Sequence, residues 1–185
     1  MERKKIILVE GPQGSGKTTA VNHLSELGYI PIRGIPDGDE LSTNREVENW
    51  KRCCGIYEDC LSSTNGKTVA MDRSIWSLVA YNIRKKPEQR ELIYRLGRNI
   101  FQRRLTGFTS PTLLFLEADP ETCYGREDHK GRHSLLSPEQ SCQEVEVYDW
   151  LAGQLERDGF VVRRLVNSGI SQAHFKKLLV ETVLE

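Results

Sequence analysis

Gly11-Pro12-Gln13-Gly14-Ser15-Gly16-Lys17-Thr18 has the spacing G-x-x-x-x-G-K-T and follows the apolar run Ile6-Ile7-Leu8-Val9. An apolar run ending in glycine reads as a buried strand, so the segment predicts a strand, a glycine-rich loop and a helix start in succession. The residue types follow from the chemistry of phosphate. Glycines let the backbone curl until successive N–H groups face one anion, and the helix beyond adds its positive dipole end. Lys17 can reach the β- and γ-phosphates of a bound triphosphate, and the Thr18 hydroxyl can ligate Mg²⁺. Gly11 through Thr19 are therefore the expected nucleotide-binding residues.

With 185 residues, the chain suits one domain able to bury a sizeable core. Lys plus Arg total 26 and Asp plus Glu total 26, so no global charge draws the protein to nucleic acid or to an anionic membrane. No stretch approaches the roughly 20 apolar residues needed to span a bilayer, and the N-terminal Met-Glu-Arg-Lys-Lys is not a signal peptide, so the expected location is the cytoplasm. The five cysteines (Cys53, Cys54, Cys60, Cys123, Cys142) are odd in number without C-x-x-C spacing, which favours reduced thiols. Four scattered histidines give no zinc spacing.

Apolar runs alternate with helical stretches, the pattern of an α/β protein whose parallel sheet is covered on both faces. Strands are expected at Lys5 to Glu10, Tyr29 to Arg33, Thr68 to Asp72, Thr112 to Glu117 and Phe160 to Leu165. Expected helices cover Gly16 to Leu27, Arg45 to Leu61, Ser74 to Ile83, Glu88 to Leu105, Pro138 to Asp158 and Gln172 to Leu184. Gly28 suits a left-handed cap, Lys86-Pro87 is a breaker, and Ser137-Pro138 is a natural N-cap followed by a first helical position. In such a sheet ligands gather outside the carboxyl ends of the strands. Asp72-Arg73 stands at one of those ends, where a carboxylate can hold Mg²⁺, receive a substrate hydroxyl or act as base, and where a guanidinium can fork onto phosphate.

Several segments, in order, resemble the thymidylate kinase and deoxynucleoside kinase group. Glu10-Gly11 through Thr18-Thr19 is similar to the E-G-x-x-x-x-G-K-T-T start. Asp72-Arg73-Ser74 with Ser77, Ala80, Tyr81 and Asn82 resembles D-R-Y-x-x-S-x-x-A-Y-Q. Pro111 through Asp119-Pro120-Glu121 resembles the strand and helix start that end in P-E. The resemblance implies a three-layer P-loop kinase fold, with a five-stranded parallel sheet between helices and a small arginine-bearing lid at about residues 126–137. It implies ATP and Mg²⁺ as cofactors, with Thr18 and Asp72 on the metal. Lys17, Asp72 and Arg73 would be catalytic, together with the lid residues Arg126 and Arg132, with Lys130 in reserve. Arg33, Asp72, Arg73, Trp76 and Tyr81 would bind the acceptor, and Asn167-Ser168-Gly169 would cup the donor base.

The departures from that pattern bear on the acceptor. Gln13 stands where thymidylate kinases usually carry Asp. Their R-E-P-G reads here as Arg33-Gly34-Ile35-Pro36, losing the glutamate that in nucleoside kinases takes the hydroxyl proton. Its loss favours a phosphate acceptor, although Asp37, Asp39 or Glu40 could substitute. Trp50, Tyr57, Trp76, Tyr81 and Phe101 are available to stack on a base, with Asn82 or Gln102 to read its edge. The leading expectation is thus an ATP:(deoxy)nucleoside monophosphate phosphotransferase. The alternatives are a kinase for a hydroxyl acceptor, such as a deoxynucleoside or a modified base within DNA, and a P-loop binding module that transfers no phosphoryl group. The apolar positions on the second and third helices suit a homodimer and suit burial within one chain equally well.

Overall fold

In a computed structural model that describes residues 6–34, 55, 68–104, 111–128 and 136–184, five parallel strands form one sheet in the order β2-β3-β1-β4-β5. The strands are β1 (Ile6–Glu10), β2 (Ile30–Arg33), β3 (Val69–Asp72), β4 (Thr112–Glu117) and β5 (Val161–Val166). The helices are α1 (Lys17–Glu26), α2 (Ile75–Lys85), α3 (Arg90–Arg104), α4 (Pro120–Asp128), α5 (Pro138–Arg157) and α6 (Gln172–Leu184). A single 3₁₀ turn, Pro87–Gln89, precedes α3, because proline fits a tight helical start and cannot continue α2. The expected strands and helices lie within about two residues of these bounds wherever they are described. The helix expected at Arg45 to Leu61 lies outside the described residues, Gly55 excepted.

The central strand β1 is buried along its whole length, because helices cover the sheet on both sides. Alternation along the strands divides the core. Ile6, Leu8, Met71, Leu113 and Phe115 face α2, α3 and α5, where they meet Trp76, Tyr94, Phe101 and Leu151. Ile7, Val9, Ala70, Leu114 and Leu116 face α1 and α6, where they meet Leu24, Phe175 and Leu179. The register pairs Val9 with Asp72, and Arg33 with Asp72, so the P-loop and both expected acceptor segments emerge at one end of the sheet. α5 opens with a complete capping box: Gln140 N–H donates to the Ser137 hydroxyl, and Ser137 N–H donates to the Gln140 side chain.

The ends of β2 and β3 are also locked together. Gly34 N–H donates to Asp72 O at 2.9 Å, and a Cβ added at Gly34 would stand 1.7 Å from Arg73 O. No side chain fits there without moving the Asp72-Arg73 turn. Gly34→Ala should therefore lower stability by about 1–3 kcal/mol, the usual range for overpacking, read as a lower urea midpoint with an unchanged slope.

Candidate active site

Lys17 begins α1 and is buried, with Nζ donating to Gly11 O and to Pro12 O, both at 2.7 Å. Two bonds leave one ammonium hydrogen free to meet an anion across the loop mouth. Burial lowers the Lys17 pKa to about 8; nearby Arg73 pushes the same way, while Glu144, Asp72 and Glu10 oppose it. The Thr18 hydroxyl donates to Asp72 Oδ2 at 2.7 Å, and the other Asp72 oxygen, Oδ1, is buried without a hydrogen bond among the described residues. Ser15 N–H closes the loop on Pro12 O, and the buried Ser15 hydroxyl finds no partner among the described residues. Gly14 has φ +80°, and a Cβ there would lie 2.2 Å from Cys123 O, because α4 packs directly on the loop. That contact leaves no room for a side chain at this P-loop position.

A carboxylate that closes the apolar run of β1 underlies this end of the sheet. Glu10 is fully buried and accepts from Ser74 N–H at 2.7 Å, from the Ser74 hydroxyl at 2.5 Å and from the Ser77 hydroxyl at 2.5 Å. The Tyr148 hydroxyl of α5 donates in turn to Ser77 at 3.2 Å. Burial raises the Glu10 pKa, against the serine hydrogen bonds and the Lys17 charge, and burial also pushes the Tyr148 phenol well up. Ser74 is the N-cap of α2, with Trp76 N–H donating to its hydroxyl. The chain enters that cap through Arg73 in the left-handed region, φ +69°, a conformation costing about 1–3 kcal/mol for a residue with a side chain and typical of sites held in place by their surroundings.

The expected site residues divide three ways. Lys17, Thr18, Asp72 and Arg73 converge at the ends of β1 and β3. Arg126 and Asn167 meet on the β5 flank of the loop. There the Arg126 guanidinium donates to Gly14 O at 3.3 Å and to Asn167 O at 2.8 Å, and the Asn167 amide donates to Ser15 O at 2.7 Å. Arg126 is thus no lid-loop residue: α4 continues to Asp128, started by Asp119, whose carboxylate accepts from Thr122 N–H and hydroxyl. Hydrogen bonds with Ser168 and Thr122 hold the Asp119 carboxyl down at about 2. Trp76 is the clearest correction. It is 0% exposed and packs against Tyr94, Phe101 and Phe160, so its ring is core and cannot stack on an acceptor. Phe101 is buried beside it, and the Asn82 amide donates to Leu78 O in its own helix.

Tyr81 is half-buried under Lys85, whose Nζ lies 4.4 Å from the ring centroid. Arg33 ends β2 with its side chain exposed, and Thr19 is exposed on α1. Arg132, Lys130, Trp50, Tyr57 and most of the expected lid lie outside the described residues. Glu144 was not foreseen at all. From the second turn of α5, its Oε2 accepts from Gln13 N–H at 2.8 Å, bringing a carboxylate to the P-loop. Nothing in Gln143-Glu144-Val145-Glu146 marks the first glutamate off from the second, because only the docking of α5 selects it.

Two solved structures share this fold over nearly the whole chain. The chain superimposes on a deoxyadenosine kinase from M. mycoides with bound dATP at a TM-score of 0.67 and 15% identity, covering 97% of this chain and 99% of that one. The deoxyadenosine kinase from the same organism with the products dCMP and dCDP bound gives 0.62 at 17% identity, covering 95% and 97%. The fold is that of the P-loop kinases. Among curated proteins, the RNase adapter protein RapZ of Salmonella paratyphi B and of Salmonella newport is 28% identical over 139 residues, 75% of this chain and 39% of the relative. The chain spans about two fifths of the length of these relatives. No family model matches it. Among the described residues, no helix is long and apolar enough to cross a membrane, and no three His, Cys, Asp or Glu side chains group as a metal site.

Within this P-loop kinase fold, Ser74 both caps α2 and supplies two of the three donors to Glu10. Ser74→Ala removes the cap and one donor to a buried carboxylate. The expected loss is about 2–3 kcal/mol, measured by urea unfolding, with Ser74→Thr retaining most of it.

Proposed function

We propose that the chain is an ATP-dependent phosphotransferase that moves the γ-phosphoryl group to a small nucleoside-type acceptor. The observation that carries this reading is the pair at the end of β3: Thr18 bonded to one oxygen of Asp72, with the other buried and unmet among the described residues, beside a P-loop lysine. An unpaired buried carboxylate oxygen is costly, and a cation brought by the nucleotide would satisfy it. Thr18 and Asp72 therefore fit Mg²⁺, which when bound with ATP would neutralise charge on the β- and γ-phosphate oxygens.

The remaining roles follow from position. The P-loop amides and Lys17 hold the triphosphate, and Arg126 with Asn167 borders it on the β5 flank. Arg73, emerging at the end of β3 under strain, faces the acceptor. Transfer then depends on placing the acceptor oxygen in line with the γ-phosphorus and on stabilising the charge of the transferring group. Arg33 and Arg73 support a (deoxy)nucleoside monophosphate of the thymidylate kinase kind, and the lid arginine Arg132 would close over the reaction. Glu144 supports a hydroxyl acceptor instead. The similarity to an RNase adapter supports a module that binds nucleotide without transfer.

One panel tests these readings: ATP·Mg²⁺ with each common nucleoside, each monophosphate and a duplex carrying hydroxymethyl bases, with phosphorylated product as the readout. Lys17→Ala should lower turnover by about 10³-fold or more, the usual loss when a charge aimed at the transition state is removed. Nucleotide bound without product from any acceptor would leave the binding-module reading.

The buried lysine adds a pH signature. A bound polyphosphate favours the ammonium form, so ATP binding near pH 8 should take up a proton, and affinity should weaken as pH rises past the empty-site value of about 8. Calorimetry in two buffers of different ionisation enthalpy reads the proton, and an affinity flat from about pH 7 to 9.5 would refute it.

A further inference from the structure

We propose that Glu144 is the catalytic carboxylate on the acceptor side, binding the attacking hydroxyl of the acceptor and taking its proton as the γ-phosphoryl group is transferred. The proposal rests on the phosphotransfer reading above and narrows it to a hydroxyl acceptor.

Placement comes first. Lys17 Nζ is held by Gly11 O and Pro12 O, and a P-loop lysine so held reaches toward the β- and γ-phosphates. Gln13 is the next residue, and its N–H is the one that Glu144 Oε2 meets at 2.8 Å. The carboxylate therefore stands at the terminal-phosphate end of the loop. α5 packs on the face of the sheet that it shares with α2, whose first turn follows Asp72-Arg73. The i, i+4 neighbour of Glu144, Tyr148, bonds to Ser77 of that same helix. Glu144 thus lies between the P-loop and α2, one helical turn beyond Ser141, whose hydroxyl donates to Pro120 O of α4.

Capacity comes second. Oε2 is used by Gln13, and Oε1 carries no hydrogen bond among the described residues. A half-buried carboxylate with one oxygen anchored to backbone and the other open is fixed in direction and still able to accept a hydrogen bond. Asp72 is already engaged by Thr18 and suited to the metal, and Glu10 is enclosed by Ser74 and Ser77, so neither is available to an acceptor. A phosphate acceptor brought against Glu144 would face like charge, whereas a hydroxyl can donate to it.

The step balances. The hydroxyl proton passes to Glu144 Oε1 while the oxygen forms its bond to the γ-phosphorus of ATP. The bond from that phosphorus to the bridging oxygen breaks, and its electron pair leaves with ADP. Glu144 then returns the proton to solvent.

Glu144→Gln keeps an oxygen for Gln13 N–H, and with it the tie between α5 and the loop, but it cannot take a proton. The expected result with a hydroxyl acceptor is a fall in kcat of about 10²–10⁴-fold, with KM for ATP within about twofold of the parent and Glu144→Asp in between. A Glu144→Gln enzyme turning over within about threefold of the parent would overturn the proposal. So would tighter ATP binding with unchanged turnover, which would make Glu144 a competitor of the phosphates. A parent enzyme that phosphorylates monophosphates alone would overturn the proposal and leave the phosphotransfer reading intact; one that yields no product with any acceptor would overturn both.

Discussion

Burying the Glu10 carboxylate at the end of β1 obliges the fold to bring donors to it, and the donors come from the first turn of α2. A carboxylate without water or partners in this position would cost several kcal/mol. With Ser74 and Ser77 in place it instead becomes the joint between the two strands whose ends make the site. The Asp72-Arg73 turn is held from both sides, by Arg73 N–H on Val9 O and by Gly34 N–H on Asp72 O. Its left-handed backbone is tolerable only because those contacts leave it nowhere else to go. The Asp72-Arg73 turn is thus anchored to one buried carboxyl group through the three hydrogen bonds that Glu10 makes with Ser74 and Ser77.

The sheet was legible because its signal is local. Ile6-Ile7-Leu8-Val9 and Thr112 through Glu117 are runs too short and too apolar for surface helices, and the glycines after β1 announce the loop. The order of the strands and the pairing of Asp72 with Val9 were not legible, because alternation with helices implies a parallel sheet and leaves its order open. Side-chain roles were less legible, since the same residue type serves core and site. Trp76 sits two residues beyond Ser74 in a segment similar to an acceptor-binding motif, yet helix geometry turns its ring into the core against Tyr94 and Phe101. Arg126 looked like a lid arginine because the polar run begins there, and only the continuation of α4 past it brings the guanidinium back onto Gly14. Glu10 did carry a sequence signal, a charged residue closing a wholly apolar strand. Glu144 carried none, because its partner is a backbone N–H 131 residues away in the chain.

The two flanks of the P-loop differ in how completely their polar groups are met. On the β5 side Asn167 bonds to Ser15 and to Glu117 O, Arg126 spans Gly14 and Asn167, and Asp119 N–H donates to Ser168. Each group there has a partner within the protein, so this flank is a prepared wall. Among the described residues, one hydrogen of Lys17, the buried Asp72 Oδ1, the half-buried Glu144 Oε1 and the buried Ser15 hydroxyl remain without partners.

Asp72 Oδ1 and the Ser15 hydroxyl are the informative members, because buried polar groups are rarely left unmet and each exception calls for a partner such as an ion or water. Unmet acceptors beside the Lys17 and Ser15 donors are not the complement of a single anion, which would need donors alone. They are the complement of an anion, a cation and a hydrogen-bond donor arriving together. A triphosphate, its metal ion and a hydroxyl satisfy that set, and a triphosphate alone leaves both carboxylates facing it. On the proposed phosphotransfer reading, that charge pattern suits two molecules bound side by side at the mouth of the loop.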